Sequence, residues 1–224
     1  MASEKSASVT GLVWMPALIT LAITIIRLVG ELQHWPKPWF DASAGGGGAI
    51  VGISWLPVIL GPYFAAKLAA NGNEPQSVAR ALGFTSLGLV AFVAGATVVG
   101  LTFAHPSILT LLGFVLMLAA AFIPRIGWRS MTAVLLRYAL AARIPVLVVM
   151  YLAMRGNGGA GWGTHYDAVS PQLVGAPLTR KYFYEALLPQ LTLWIAWTVI
   201  AGSFFGIAAA ALMRLRKRPA QATA

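Results

Sequence analysis

The chain has 224 residues, 58% of them apolar and 10% charged, with sixteen Lys and Arg against six Asp and Glu and a mean hydropathy of +0.77. This composition excludes a disordered protein and a water-soluble enzyme, and it is typical of a protein embedded in a bilayer. The absence of cysteine also excludes disulfides, iron–sulfur clusters and thiolate zinc sites.

Six apolar stretches can each cross a bilayer as a helix, since about 20 residues at about 1.5 Å each span about 30 Å of hydrocarbon. The sequence therefore predicts an all-α integral membrane protein: one membrane domain over residues 1–224, folded as a six-transmembrane-helix bundle. The predicted spans are residues 11–30, 50–69, 80–104, 107–124, 131–154 and 186–213. The first is interpreted as an uncleaved signal anchor, because no A-x-A-like exit follows its apolar run.

The third and fourth spans come from one long tract. Residues Ala81 to Pro124 form 44 residues without Asp, Glu, Lys or Arg, about twice what a single crossing uses. The polar break is Ala104-His105-Pro106, where proline disfavours helix at the preceding residue. We therefore predict a tight hairpin at His105.

The distribution of Lys and Arg predicts that both termini are cytoplasmic, because cytoplasmic flanks carry the excess of basic residues. With the termini inside, nine basic residues lie at inner flanks and four at outer flanks. The inner set is Lys5, Lys67, Arg80, Arg125, Arg129, Arg214, Arg216, Lys217 and Arg218, and the outer set is Lys37, Arg155, Arg180 and Lys181. The charge is interpreted as membrane anchoring, so no nucleic-acid partner is predicted, and the expected location is a cell inner membrane.

The predicted outer loops, residues 31–49 and 155–185, hold four of the six acids. The proposed threading also brings all three histidines to the outer boundary. The candidate ligand-binding residues are Glu31, His34, Trp35, His105, Trp162, His165, Tyr166 and Asp167. For the aromatic residues, interfacial anchoring is the alternative interpretation, because amphipathic rings suit the head-group layer.

The histidines and acids also allow a metal site. Glu31-x-x-His34 places two side chains on one helical face, and His165-x-Asp167 offers two more ligands. The chain lacks a second Glu-x-x-His and any H-E-x-x-H, so no cofactor is predicted. A metal, if bound, is expected at His34, His165 and Asp167; hydrogen-bonded interfacial histidines are the alternative.

Two arginines within predicted spans are further candidates, because ionisable groups at membrane depth are costly. Arg143 lies near the middle of the fifth span, two residues before Pro145, which frees a backbone carbonyl. We expect Arg143 to cap that carbonyl or to snorkel, or alternatively to meet an anionic head group or a quinone-like oxygen. Arg27 precedes Glu31 by one helical turn, which predicts a weak local pair if the two are exposed.

The function predicted from these features is binding, and an enzyme is not the favoured class. The chain contains no nucleotide-binding loop, no G-x-S-x-G and no dinucleotide fingerprint. We predict a membrane-complex subunit or a small-ligand or lipid-binding protein with its contact surface at the outer face. Two alternatives stay open: a metal-dependent enzyme acting on a lipid-linked substrate, and a small anion permease or channel.

The expected partners are the lipid bilayer and, in one interpretation, another membrane-protein subunit. Gly202, Gly206 and Ala210 form a stripe of small residues that lets helices pack closely. The stripe fits helix packing within the bundle or the face of a homo-oligomer.

Overall fold

The computed structural model describes residues 9–46 and 48–217, which form helices and loops without strands. The first five helices are α1 (Val9–Leu32), α2 (Leu56–Ala70), α3 (Val78–Thr102), α4 (Ile108–Ala120) and α5 (Arg129–Gly159). After a loop comes the last helical stretch, which consists of α6 (Leu178–Lys181), a π-helical segment (Tyr182–Leu187), α7 (Leu188–Leu191) and the regular helix α8 (Leu193–Lys217). Short 3₁₀ turns occur at Ala44–Gly46, Ile123–Ile126 and Pro171–Leu173.

Five helical stretches in the described ranges are long and apolar enough to cross a membrane. They are Gly11–Leu32, Val78–Thr102, Ile108–Ile126, Arg129–Gly159 and Leu178–Arg216. The all-helical class is thereby confirmed, and the architecture is compatible with a multi-pass membrane protein. α2 is shorter, with 15 residues, because residues 50–55 form bends where the sequence predicted helix. Pro57 lies in the first turn of α2, where its missing N–H is tolerated.

The fifth and sixth predicted spans also differ from the observed helices. α5 continues past residue 154 and is interrupted at residues 156–158, whose backbone angles are not helical. The last helical stretch begins at Leu178, so the predicted loop 155–185 is shortened at its end. Bounds drawn just inside flanking charged residues, such as Arg155 and Glu185, stop too early because long charged side chains at a helix end can still reach water.

The hairpin predicted at His105 is present between α3 and α4. Ser107 caps α4 through a capping box with Thr110, and the Oγ1 of Thr110 donates to the Oγ1 of Thr102 at 2.9 Å. Farther along the pair, a Cβ on Gly95 would lie only 2.7 Å from the carbonyl oxygen of Gly113. The two helices therefore approach backbone to backbone, which larger residues would prevent.

The stripe of small residues in α8 packs inside the chain. A Cβ on Gly61 of α2 would overlap the carbonyl of Gly202, and one on Gly206 would overlap the side chain of Met131 in α5. Ala210 is also buried. The close approach that Gly202 and Gly206 permit is thus used by helices α2 and α5 of the same chain.

The bundle has two distinct ends. At one, the Nε1 of Trp128 donates to the carbonyl of Asn73 at 2.9 Å, and Arg214 pairs with Glu74 at 3.4 Å. We name it the arginine end, comprising residues 71–77, 122–130 and 214–217. The other we name the histidine end, comprising residues 33–46, 48–53, 103–107 and 160–177. There the ring of Phe103 lies 6.3 Å from that of Tyr184, so the α3–α4 turn is beside the start of the last helical stretch.

The contact between α2 and α8 gives a first prediction. Gly61→Ala should destabilise the protein by about 1–3 kcal/mol, because the new methyl group meets backbone that cannot move aside easily. Gly83→Ala is the matched control: it lies in α3 with nothing within 4 Å of its Cβ position. That control should gain about 0.5–1 kcal/mol from helix propensity. Unfolding midpoints in detergent measure both, and equal midpoints would contradict the close α2–α8 contact.

Candidate functional site

A cavity of about 340 Å³ lies between α1, α5 and the last helical stretch, beneath the loops of the histidine end. Its volume falls in the lower part of the range of small-molecule sites, about 300–1,000 Å³. The polar side chains on its wall are Thr24, Arg27, Ser54, Arg143, His165, Tyr166, Glu185, Gln190 and Trp194. The rest of the wall is apolar or glycine: Ile23, Gly45, Gly48, Ala49, Gly52, Ile53, Val146, Met150, Ala168, Pro189 and Leu193.

Arg143 contributes a buried guanidinium to this wall, with a residue exposure of 4%. Its Nη1 donates to the Oε1 of Gln190 at 3.3 Å, and its Cζ lies 4.7 Å from the ring centroid of Trp194, a cation–π contact. Its Nε is buried and makes no hydrogen bond. No carboxylate of residues 9–46 or 48–217 forms an ion pair with it. Arg143 thus hydrogen-bonds to Gln190 and lies over the ring of Trp194, whereas the sequence predicted that it would cap a carbonyl or snorkel.

Glu31 connects α1 to the loop that carries His165. Its Oε1 accepts from the Nε of Arg27 at 2.8 Å, and its Oε2 accepts from the backbone N–H of His165 at 2.9 Å. The Nδ1 of His165 lies 2.7 Å from both carboxylate oxygens. Glu31 is 3% exposed and Arg27 is 9% exposed. The pair that the sequence predicted to be weak when exposed is therefore buried, and it is part of a three-residue network.

The imidazole of His165 is arranged as a neutral group. Burial lowers the pKa of His165 below its ordinary value, although the adjacent Glu31 carboxylate opposes this shift. At neutral pH its Nδ1–H therefore donates to Glu31, and its Nε2 carries a lone pair. Within the described residues Nε2 makes no hydrogen bond. That nitrogen can accept a hydrogen bond or a proton from a ligand in the cavity.

Tyr166 and Asp167 follow His165 but act differently. The hydroxyl of Tyr166 donates to the carbonyl of Thr24 at 3.2 Å, and burial raises the pKa of Tyr166, so its phenol stays protonated. Asp167 accepts from the backbone N–H of Gly163 and of Thr164, both at 2.9 Å, and from the hydroxyl of Thr164 at 2.5 Å. Tyr166 therefore lines the cavity, whereas the carboxylate of Asp167 holds its own loop in shape.

The π-helical segment places Glu185 and Gln190 on the wall. Pro189 lacks an N–H, and in a regular α-helix its ring would clash with the carbonyl of Glu185, one turn earlier. The chain widens into π-helix just before this proline and breaks at Thr192, whose φ of −121° and ψ of −72° are not helical. Glu185 is held by the backbone N–H of Ser170 at 2.8 Å.

Six of the eight residues predicted to bind ligand lie outside the cavity wall: Glu31, His34, Trp35, His105, Trp162 and Asp167. His34 is exposed after the end of α1, with a φ of 53°, and His105 is exposed in the α3–α4 turn. Trp35 is 45% exposed, and Trp162 packs over Gly156. All three histidines lie at the histidine end, but the cavity wall includes only His165 among them.

The residues named for a metal are not gathered into one cluster. In the part of the chain that the structure describes, no group of three or more His, Asp or Glu side chains is close enough to hold an ion. His165 turns to Glu31, and Asp167 turns to its own loop. His34 contributes to neither arrangement.

The sequence reasoning missed Gln190 and Trp194, and it gave Glu185 no role. Gln190 carries no charge, so the cost of burying an ion does not mark it among the apolar residues of its span. A neutral amide directly after a proline inside an apolar span is a signal that could have identified it. Trp194 was not predicted to line a site, because a tryptophan in an apolar helix usually indicates packing against other helices or lipid.

The chain matches no protein-family model, no curated protein and no solved structure. The chemistry of the cavity is therefore inferred from the residues of its own wall.

The Glu31 network gives a second prediction. Glu31→Gln should destabilise the protein by about 3–5 kcal/mol, because it leaves the buried guanidinium of Arg27 beside a neutral amide. Glu74→Gln is the control, since it weakens the more exposed pair with Arg214, worth about 0–1 kcal/mol. Chemical unfolding in detergent measures both. Similar small losses in the two variants would show that the Glu31 network does not hold the loop.

Proposed function

We propose that this chain is a multi-pass membrane protein that binds a small molecule carrying an anionic group in the cavity at the histidine end. The observation that carries the proposal is the guanidinium of Arg143, which lies on the cavity wall, forms no ion pair with a carboxylate of the described residues and donates only to the neutral amide of Gln190. A guanidinium without a carboxylate gains about 1.5–3 kcal/mol from a charge-assisted hydrogen bond to a ligand oxygen. Binding an anion would therefore offset the cost of burying this charge.

The other wall residues support an amphipathic ligand. His165 presents the acceptor Nε2, and Glu185 provides a carboxylate that suits a hydroxyl or amine donor. Ile53, Val146 and Met150 line the same space with apolar surface. A ligand with an anionic oxygen, a hydrogen-bond donor and an apolar portion would satisfy each of these surfaces.

Binding is the function that these contacts favour over the alternatives. A role as a subunit of a membrane complex is compatible with it, because a bound ligand and a protein partner can share the histidine end. The metal-dependent enzyme and the anion permease gain no specific support from the contacts of the wall.

We also propose that α2 crosses the membrane, which makes six spans with both termini cytoplasmic in a cell inner membrane. In support, α2 follows Ser54, whose carbonyl accepts from the Nε1 of Trp197 in α8 at 2.7 Å. It leads to Asn73, which is bonded to Trp128 at the arginine end. The basic residues near that end are Lys67, Arg80, Arg125, Arg129, Arg214 and Arg216. Their concentration favours a cytoplasmic position for the arginine end.

The ligand proposal is tested with Arg143→Gln. Dihexanoyl-phosphatidylglycerol, a short-chain anionic probe, should bind about 10- to 100-fold more weakly to this variant, because the charged donor is lost. Arg137→Gln is the control, since Arg137 is exposed on the same helix, and it should bind as the unmodified chain does. Calorimetric titration in detergent gives both affinities. Equal affinity in the two variants would overturn the proposal.

The proposed topology is tested by cysteine labelling, for which the cysteine-free chain is a clean background. Ser43→Cys and Ala104→Cys, both exposed at the histidine end, should react with a membrane-impermeant maleimide from outside. Gln76→Cys, exposed at the arginine end, should react only after the membrane is permeabilised. If positions 43 and 76 label from the same side, α2 does not cross.

A further inference from the structure

An apolar groove of about 400 Å³ lies beside the cavity, between the start of α2, the middle of α3 and α8. Its wall is formed by Trp55, Val58, Phe92, Leu193, Trp194 and Trp197, with Ser54 as the polar member. The carbonyl of Ser54 is already bonded to the indole N–H of Trp197. The groove therefore offers an occupant apolar contacts and hardly any free polar groups.

The cavity and the groove share part of their walls. Ser54, Leu193 and Trp194 line both spaces. Trp194 is the ring over which the guanidinium of Arg143 lies, at 4.7 Å. The buried cation and the apolar groove thus meet at one tryptophan.

The position of the groove indicates what surrounds its opening. Phe92 lies near the middle of α3 (Val78–Thr102), one of the helices long and apolar enough to cross a membrane. Trp55 at the rim is 41% exposed, and the adjacent Ile59 of α2 is 58% exposed. We expect a surface of this kind beside a membrane-spanning α3 to face lipid chains and not water.

We propose that the ligand is an anionic bilayer lipid, with its head group in the cavity against Arg143 and one hydrocarbon chain in the groove. This inference rests on the proposed function, because it assigns the anionic molecule bound by the cavity to a class. The lipid would enter sideways from the bilayer between α2 and α8, and Glu185 would accept a hydrogen bond from a hydroxyl of the head group. Each methylene buried in the groove should strengthen binding about fourfold.

The charge of Arg143 favours a lipid over a protein helix as the occupant. An apolar helix seated on the groove would leave the guanidinium with a neutral amide and an aromatic ring and without an anionic partner among the described residues. A lipid brings the anionic oxygen and the apolar chain on one molecule. The cavity likewise offers a cation and the adjacent groove offers apolar surface.

The test uses the full chain in non-ionic detergent and two matched variants of α2. Val58→Phe fills the groove, whereas Ile59→Phe adds the same bulk on the exposed neighbouring position, which does not line it. Dioleoyl-phosphatidylglycerol should bind Val58→Phe at least tenfold more weakly than Ile59→Phe. Dihexanoyl-phosphatidylglycerol, which has too short a chain to fill the groove, should bind both variants with similar affinity. Native mass spectrometry counts the bound lipid, and titration gives the affinities.

Several outcomes would overturn the inference. Equal binding of the long-chain lipid to the two variants would show that its hydrocarbon chain does not occupy the groove. The proposed function would still be supported if binding of the short-chain probe depended on Arg143. Binding of inorganic phosphate as tight as that of the lipid would assign the site to a free anion. Equal binding of dioleoyl-phosphatidylcholine would exclude selection for a net negative head group. A dimer that excludes lipid would assign the groove to a second copy of the chain.

A chain-length series on the unmodified protein keeps the inference testable if Val58→Phe does not fold. Dioctanoyl- and didecanoyl-phosphatidylglycerol, whose chains are long enough to occupy the groove, should bind progressively more tightly than dihexanoyl-phosphatidylglycerol, whose chains are too short to do so. Affinity that is independent of chain length would overturn the inference.

Discussion

The structure of the histidine end depends on one buried carboxylate, that of Glu31. A charge buried in an apolar bundle requires a polar or aromatic partner, because desolvation costs several kcal/mol per ion. Glu31 meets this requirement for Arg27 in its own helix, and it also binds the backbone and the ring of His165 in a distant loop. The loop is thereby fixed over α1, which brings His165 and Tyr166 to the cavity wall. Arg143 is arranged in the opposite way, since its charge is left with a neutral amide and an aromatic ring.

The apolar helices of this fold could be predicted from the sequence because hydropathy and charge are local properties. The tract from Ala81 to Pro124 had to turn back, and the structure places the turn at His105. The start of α2 and the irregular stretch before α8 could not be predicted in the same way. Residues 50–55 are mostly apolar, like the residues of the helices, yet they form bends. Ser54 in these bends contacts a residue distant in sequence, Trp197, which the sequence does not reveal.

The site was predictable by residue type but not by pairing. Arg143, Arg27, Glu31 and His165 were identified because charged and titratable groups are costly in a membrane, and all four belong to the observed arrangement. Glu31 and His165 are 134 positions apart, and nothing in the sequence relates them. Asp167 was predicted to bind a ligand. Its hydrogen bonds to Gly163 and Thr164 could not be predicted, because they depend on the path of the loop.

The π-helical turns between Tyr182 and Leu187 determine the direction in which the side chains before α8 point relative to the cavity. Each residue of an α-helix advances the direction of the side chain by about 100°. Deleting or inserting a single residue between Glu185 and Thr192 would therefore rotate Glu185 away from the wall while leaving α8 and its glycines in place. The length of this short segment is consequently as strict a requirement as the identity of any side chain in it.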